Sequence, residues 1–241
     1  MSFKPDLLEN KTAIVTGGTQ GIGRAIAERL ASLGARVYAA GLPSNDKQPY
    51  QSDRITEIIL DVTKEDEIRD FAHNVSSLDI LVNCAGIICR GEEFKLSVFE
   101  RVININLVGT MRLCEEVRPL LAKSGGCIVN TASMLSFFGG GLVPAYSASK
   151  GGIAQLTKSL AIAYAPDSIR VNAIAPGWIA TPLTQALQDD KTRSQPILDR
   201  TPLKRWGTPH DVAQAVVFLC SEASAFMTGV IMPVDGGYMV T

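Results

Sequence analysis

Short aliphatic runs alternate with amphipathic stretches along most of the 241-residue chain. Several short runs are apolar throughout, which is typical of parallel strands covered on both faces. The longer stretches repeat apolar residues every three or four positions, as a helix with one buried face does. The predicted strands are Thr12–Thr16, Arg36–Ala40, Ile55–Leu60, Ile80–Asn83, Cys127–Thr131, Arg170–Ile174 and Val230–Val234. The predicted helices are Gly21–Leu33, Glu65–Val75, Val98–Leu121, Ala145–Ala165 and Pro209–Glu222.

This alternation predicts an α/β fold, namely a single-domain, doubly wound parallel sheet of Rossmann-like type with helices on both faces. No low-complexity tract or Ser/Gly linker divides residues 1–241. Two stretches interrupt the alternation. Leu42–Arg54 is polar and rich in turn formers, and residues 178–206 form a long segment that contains three prolines. Because long insertions in compact domains are usually lids or binding loops, we interpret 178–206 as a substrate lid.

Charge and hydropathy indicate which kinds of molecule the chain is expected to bind. The chain has 23 basic and 24 acidic side chains and a net charge of -1, and no basic stripe stands out. A nucleic-acid partner is therefore not expected. Met1–Asn10 lacks the apolar core of a signal peptide, and no apolar run is long enough to span a bilayer. We expect a cytoplasmic protein that acts on a small molecule and has no membrane partner.

The cysteines do not indicate a metal site. They are scattered, odd in number and mostly embedded in apolar patterns, and neither His73 nor His210 sits beside one. Metal sites usually need paired ligands at short spacing. The five cysteines, which we interpret as small buried side chains in a reducing compartment, are Cys84, Cys89, Cys114, Cys127 and Cys220.

A glycine-rich loop follows the first predicted strand. Thr16–Gly23 reads TGGTQGIG and opens the first predicted helix. Gly17 and Gly21 would make a tight turn, so that a pyrophosphate can approach backbone N–H groups at the positive end of that helix, and Gly23 would let the helix pack closely. The spacing is G-x-x-x-G-x-G rather than G-x-G-x-x-G. A plain turn needs the same residues, but the position at the first strand–helix junction favours dinucleotide binding.

The end of the second strand indicates which nicotinamide cofactor is preferred. An acid there can bind the adenosine ribose, whereas an arginine pairs with a 2′-phosphate. The chain has Gly41 and Leu42 at this place, and Gln20 in the glycine loop is also uncharged. NAD(H) is therefore favoured over NADP(H). Asp46 is a candidate acceptor for the ribose, and an ordinary solvated aspartate is the alternative.

Tyr146 and Lys150 lie four residues apart at the start of a predicted helix, on one face. A phenol has an unperturbed pKa of about 10 and is a poor base at neutral pH. A nearby ammonium favours the phenolate, which suits proton exchange with a hydroxyl or a carbonyl. Taken alone, this spacing also fits a solvated helix face.

Several short motifs occur together in one order. They are Thr16–Gly23, Asp61-Val62, Asn83-Cys84-Ala85-Gly86, Asn106-Leu107-Val108-Gly109, Ser133, Tyr146–Lys150, Pro176-Gly177 and Asp235-Gly236-Gly237. In this order and spacing, including the thirteen residues from Ser133 to Tyr146, the chain resembles the short-chain dehydrogenase/reductase family along essentially its whole length. Two departures stand out. Cys84 replaces a usual asparagine, at a position that we expect to support the central strand more than the chemistry, and Gly41-Leu42 carries neither cofactor signature.

The resemblance implies a role for each matching residue. Tyr146 would be the general acid/base, and Lys150 would lower its pKa and hold the nicotinamide ribose. Ser133 would bind the substrate oxygen, and Asn106 would support a water that relays protons from Lys150. The implied cofactor-binding residues, besides Tyr146 and Lys150, are Gly17, Gln20, Gly21, Ile22, Gly23, Gly41, Asp61, Val62, Asn83, Ala85, Gly86, Pro176, Gly177, Ile179 and Thr181.

The expected activity is NAD(P)-dependent interconversion of a secondary alcohol and a ketone by hydride transfer. One alternative is an NADPH-dependent 3-oxoacyl carrier-protein reductase, although its acidic carrier would favour basic patches and its cofactor would favour a cationic pair that is missing here. Another is a non-catalytic dinucleotide sensor, which would not need the set Asn106, Ser133, Tyr146 and Lys150. The family also implies a homotetramer, with a dimer as the second choice, because its two long helices pair between subunits.

Overall fold

Seven strands form one parallel sheet in the computed structural model, which describes residues 3–43 and 49–241. The strands are β1 (Thr12–Thr16), β2 (Arg36–Gly41), β3 (Ile55–Ile59), β4 (Ile80–Asn83), β5 (Cys127–Thr131), β6 (Arg170–Pro176) and β7 (Ile231–Val234). Their order in the sheet is β3-β2-β1-β4-β5-β6-β7, and every pairing is parallel. This confirms the predicted doubly wound sheet. Its strand order reverses between β1 and β4, the place where such sheets leave a crevice at their carboxyl ends.

Helices cover both faces of the sheet. They are α1 (Gly21–Ala31), α2 (Glu65–His73), α3 (Leu96–Ile103), α4 (Gly109–Ser124), α5 (Pro144–Ala163), α6 (Gln185–Gln188), α7 (Lys191–Arg200) and α8 (Pro209–Cys220). Alternate strand residues serve the two faces. Val15 belongs to the buried cluster under α1 and α8, whereas its neighbour Ile14 belongs to the cluster under α4, with Leu113. The central strands β1 and β4 are therefore buried on both sides, whereas the edge strands β3 and β7 are partly exposed.

The long helix predicted at Val98–Leu121 is interrupted. It runs from Leu96 to Ser124 and contains a π-helical turn at Asn104–Val108 between α3 and α4. It ends at Gly125, whose φ of 61° is the left-handed conformation common after helices. The other predicted ends agree with the observed ones to within two residues; the differences arise because the terminal hydrogen bonds of an element do not follow from the spacing of its apolar residues.

Residues 178–206 form an ordered excursion and not a structureless loop. The segment contains α6 and α7, and the Asp190 carboxylate caps α7 by accepting from the Thr192 and Arg193 amides. The Trp206 indole donates to the Ser194 hydroxyl at 3.0 Å. None of the helices in residues 3–43 and 49–241 is both long and apolar enough to cross a membrane.

Candidate active site

A cleft of about 380 Å³ lies at the carboxyl ends of β1, β4 and β5, at the point where the strand order reverses. The Thr16 hydroxyl ties two of these strand ends together, because it accepts from the Cys84 and Ala85 amides at 3.1 and 3.2 Å. The residues that line the cleft are Gly17, Gln20, Gly21, Ile22, Gly23, Cys84, Ala85, Gly86, Ile87, Thr131, Tyr146, Lys150, Thr181, Pro182 and Leu183.

The glycine loop forms one wall of this cleft, and Gly17 and Gly23 have no room for a side chain. Gly17 and Gly21 have φ of 64° and 55°, in the left-handed region. A Cβ on Gly17 would lie 2.9 Å from the Ala85 backbone, and one on Gly23 would lie 2.2 Å from the Gly17 carbonyl oxygen. Gln20, the N-cap of α1, makes no side-chain hydrogen bond to the first turn. The amides of that turn are therefore not capped by a side chain, as a pyrophosphate site requires.

The adenosine end of a bound dinucleotide would lie near the end of β2. There the Thr19 hydroxyl donates to the Leu42 carbonyl at 3.1 Å, and a Cβ on Gly41 would lie 3.3 Å from the same hydroxyl oxygen. The guanidinium of Arg24 is also nearby, but it pairs with Glu28 at 2.9 Å and lies 4.3 Å from the centre of the Tyr50 ring. Asp46, the candidate ribose acceptor, lies outside the described residues.

Helix α5 brings Tyr146 and Lys150 to the opposite wall. Lys150 is only 4% exposed, and its Nζ donates to the Thr131 carbonyl at 2.6 Å. The same nitrogen lies 5.6 Å from the centre of the Tyr146 ring. Proline at the first helical position and the absence of a β-branched residue before Ile153 allow the helix to start just before these two side chains.

Burial shifts the pKa values of both Tyr146 and Lys150. Burial is the largest influence on the phenol and raises its pKa, while a hydrogen bond with Ser133 acts in the opposite direction. Burial also lowers the pKa of Lys150 to about 8. The hydrogen bond with Ser133 therefore favours the phenolate, and the expected effect of Lys150 on the phenol stays a prediction.

Ser133 holds its position through a short helical turn. Its hydroxyl accepts from the Leu135 amide at 3.2 Å, and its own amide donates to the Ser136 hydroxyl. The Ser136 hydroxyl in turn donates to the Lys150 carbonyl at 2.6 Å. The turn that carries Ser133 is therefore fastened to the helix that carries the phenol.

Asn106 is fully buried in the π-helical turn, with 0% of its surface exposed. Its amide accepts from the Ile87 N–H at 2.8 Å and donates to the Ile87 carbonyl and to the Ser149 hydroxyl. A Cβ on Gly86 would lie 3.2 Å from the Asn106 Oδ1 and 3.7 Å from the Lys150 Nζ. Asn106 and Lys150 thus meet at Gly86, and all four expected catalytic residues are neighbours. A π turn in this place is typical of functional sites.

Some residues expected to bind the cofactor do not line the cleft. Asp61 uses its carboxylate to accept from the Thr63 amide at 2.9 Å and from the Thr63 hydroxyl at 2.8 Å. The Asn83 amide donates to the Asn130 Oδ1 at 3.0 Å inside the sheet. The full set outside the cleft is Gly41, Asp61, Val62, Asn83, Pro176, Gly177 and Ile179. Their expected cofactor contacts stay predictions.

Close packing accounts for three members of that set. A Cβ on Gly109 would lie 2.8 Å from the Val62 side chain, and one on Gly177 would lie 2.6 Å from the Asp235 Cα. Ile179 is buried and pairs in a parallel bridge with Gly207, which closes the 178–206 segment at its base.

The structure also adds residues that sequence reasoning missed. Cys84 lines the cleft, where its thiol faces Thr131 and Lys150, so this position is closer to the chemistry than expected. Pro182 and Leu183, from the predicted lid, reach the same cleft. Glu93 accepts from the Tyr146 amide at 2.8 Å. No sequence signal distinguished Glu93 from the exposed acid beside it, because only the fold brings it to α5.

A family model described as enoyl-(acyl carrier protein) reductase matches residues 17–239. The chain belongs to the short-chain dehydrogenase/reductase family. Among its relatives, a 2-dehydro-3-deoxy-D-gluconate 5-dehydrogenase from Bacillus subtilis (strain 168) is 43% identical over 243 residues, which cover 96% of each chain. The protein of the same name from Escherichia coli (strain K12) is 38% identical over 248 residues, again 96% of each.

Solved structures of this family superpose closely. One from Agrobacterium tumefaciens, provisionally named a 2-deoxy-D-gluconate 3-dehydrogenase and holding NADP, has a TM-score of 0.89 at 38% identity, covering 99% of this chain and 100% of the other. Another from Beutenbergia cavernae, provisionally named an NAD(P)-dependent gluconate 5-dehydrogenase, holds NADP at low occupancy and has a TM-score of 0.91 at 36% identity, with the same coverage.

These similarities extend along whole chains. This member of the short-chain dehydrogenase/reductase family is therefore an NAD(P)-dependent oxidoreductase that interconverts a secondary alcohol and a ketone. The expected class of enzyme is confirmed, as is a dinucleotide cofactor. Both neighbouring structures hold NADP, so the comparisons do not support the predicted preference for NAD over NADP.

Proposed function

We propose that the enzyme oxidises a ring-opened six-carbon sugar acid of the 2-dehydro-3-deoxy-D-gluconate type at a secondary hydroxyl. The observation that carries this proposal is the end-to-end similarity to dehydrogenases of that name, at 36–43% identity in five bacterial relatives. The substrate is small and anionic, so binding requires only a local pocket beside the cleft. Residues 178–206 would close that pocket as a lid.

The residues of the cleft fit a nicotinamide dinucleotide. Gly17, Gly21 and Gly23 would hold the pyrophosphate, because their backbone is free of side chains and borders the start of α1. Lys150 would hold the nicotinamide ribose at the other end. When bound, the nicotinamide ring supplies the hydride acceptor in oxidation and the hydride donor in reduction.

The side chains of the enzyme would manage the proton. In oxidation, the Tyr146 oxygen takes the proton of the substrate hydroxyl, and in reduction it returns that proton to the carbonyl oxygen. The Ser133 hydroxyl holds the same substrate oxygen where negative charge develops. Lys150 passes the proton on from the phenol toward solvent. Asn106 keeps the Ile87 backbone and Ser149 fixed around this route.

We also propose that NAD(H) is preferred over NADP(H). Support comes from Gly41 and Leu42, two described residues at the end of β2 that carry no positive charge, and from the ion pair that engages Arg24 with Glu28. Because two neighbouring structures hold NADP, the preference for NAD(H) needs a direct binding measurement. Titration of the purified protein with NADH and NADPH should give the lower Kd for NADH, and a lower Kd for NADPH would overturn the preference.

Two further properties belong to the same proposal. We expect a homotetramer, or failing that a dimer, formed by the outer faces of the long helices, where Val108 and Ile162 are exposed apolar side chains. We also expect a cytoplasmic enzyme, in agreement with five free cysteines. Sedimentation equilibrium would measure the oligomeric state directly.

A substrate panel tests the central proposal. Initial rates of NAD(P)H formation or consumption would be compared for 2-dehydro-3-deoxy-D-gluconate, D-gluconate, neutral polyols and a 3-oxoacyl thioester. We expect the highest kcat/KM for the keto-deoxy sugar acid. A higher value for the acyl thioester would support the carrier-protein reductase instead. Cofactor binding without turnover of any compound would support a dinucleotide sensor.

A further inference from the structure

The carboxylate of Glu93 bridges two separate segments of the chain. Its Oε1 accepts from the Cys89 amide and its Oε2 accepts from the Tyr146 amide, both at 2.8 Å. Glu93 is only 1% exposed, although acids are rarely buried without a partner. It forms none of the salt bridges within residues 3–43 and 49–241. Two backbone amides thus take the place of a cation.

Both amides belong to segments that shape the cleft. Cys89 follows the cleft-lining residues Gly86 and Ile87 by only two positions. Tyr146 lies in the first turn of α5, where Val143, the N-cap, offers no side-chain hydrogen bond and Pro144 has no N–H. Glu93 therefore caps α5 from a distant part of the sequence and places a negative charge at the positive end of the helix.

We propose that Glu93 is a positioning residue that fixes the start of α5, and with it the Tyr146 phenol, against the segment that follows β4. The inference rests on the proposed function, because the reaction that it serves is proton transfer through Tyr146. Because the amides of Tyr146 and Cys89 both donate to this one buried carboxylate, Glu93 restrains the backbone of the catalytic residue itself. A shift of the phenol by even about 1 Å would be costly, since such misplacements lower rates by up to about 100-fold.

The charge of Glu93 has a separate and measurable effect. The titratable groups that face the phenol are Cys84 at the end of β4, Lys150 on the same helix and Glu93, and the Ser133 hydroxyl bonds to it. The negative charge of Glu93 raises the pKa of Tyr146. In alcohol oxidation the phenolate is the active form, so kcat rises with pH through the pKa of the phenol. Removing the charge must move that rise to lower pH.

Three variants separate the effect of the length of the Glu93 side chain from the effect of its charge. Glu93→Gln keeps the length but loses the charge and one acceptor, whereas Glu93→Asp keeps the charge but is one methylene too short. Glu92→Gln is the matched control, because Glu92 is an exposed neighbour that pairs with Lys95. We expect Glu93→Gln and Glu93→Asp to lower kcat by about 10- to 100-fold with little change in cofactor Kd. Only Glu93→Gln should move the rise in rate to lower pH, and Glu92→Gln should match the parent enzyme.

The result that overturns the proposal is a Glu93→Gln enzyme with the kcat and pH profile of the parent. Hydrogen exchange provides a readout that does not need activity. Peptides covering residues 144–150 should exchange faster in Glu93→Gln and Glu93→Asp than in Glu92→Gln, and equal rates would also overturn the proposal. A parent enzyme that oxidises no sugar acid would refute the proposed function alone, because the exchange comparison would still test the bridge.

Discussion

The ammonium of Lys150 lies 2.6 Å from the carbonyl oxygen of Thr131, the last residue of β5. This hydrogen bond holds a buried cation at the carboxyl edge of the sheet. Burying this ammonium is unfavourable, because a single carbonyl replaces the shell of water that would surround the charge in solution. Four further consequences of the arrangement around this edge can be measured.

Lys150→Met should make the protein more stable at neutral pH. The pKa of Lys150 is about 8 in the folded chain against 10.5 as its ordinary value. The unfolded chain therefore binds the extra proton between these values, and stability rises with pH across that window. Below pH 8 the cost of burying the charge is fully present, and it amounts to at most about 3 kcal/mol.

Urea unfolding of Lys150→Met across pH 7–10.5 checks this prediction. The stability gain of the variant over the parent should be largest near pH 7 and should vanish as the pH approaches 10.5. Lys158→Met, which changes an exposed lysine on the same helix, is the control and should show no such trend. A stability gain that does not depend on pH would contradict the lowered pKa of Lys150 in the folded chain.

Tyr146→Phe should abolish turnover while NAD(H) binding survives. The change removes only the phenolic oxygen, and the loss of a positioned acid/base lowers kcat by about 100- to 10,000-fold. The measurements are kcat and cofactor Kd, with Tyr38→Phe, remote on β2, as the control. Normal turnover by the variant would refute the role of Tyr146.

Gly23→Ala should disrupt the cofactor loop. Its Cβ would lie 2.2 Å from the Gly17 carbonyl oxygen, so α1 or the loop must move. Overpacking of this kind costs about 1–3 kcal/mol. Gly139→Ala is the control, because no atom lies within 4 Å of its Cβ position. Calorimetry should show weaker NADH binding and a lower Tm for Gly23→Ala only, and unchanged NADH affinity would argue against the loop as the pyrophosphate site.

Asn106→Leu should destabilise the protein and inactivate it together. The change leaves the Ile87 N–H and carbonyl and the Ser149 hydroxyl without their buried partner. Each unsatisfied buried group costs about 1–3 kcal/mol. Asn74→Leu alters an exposed asparagine bonded to one carbonyl and should change the urea midpoint little. Equal midpoints for the two variants would contradict the role of Asn106 in holding the segment after β4.

The sequence alone determined the positions of the seven strands and of the helices around them other than α6 and α7. Runs such as Ile80–Val82 are apolar throughout because both faces of the strand are covered, and that pattern is local. The glycines of residues 17–23 and the pair Tyr146 and Lys150 are also local patterns, since a tight turn and one helical turn each need specific residue types at fixed spacing. These patterns were sufficient to predict the fold and the wall of the cleft, and the class of reaction followed from the resemblance of all the motifs together to one family.

Tertiary structure alone decided which distant groups meet. The π turn around Asn106 arises where the helix packs on Ile87, and the Thr131 carbonyl reaches Lys150 only because β5 ends beside α5. Glu93 lies 53 residues from the amide that it binds. Spacing places an ammonium near the Tyr146 phenol, but the burial that raises the pKa of this phenol depends on every segment packed around it. Desolvation is a property of the assembled site, so it cannot be predicted from the spacing of residues in the sequence.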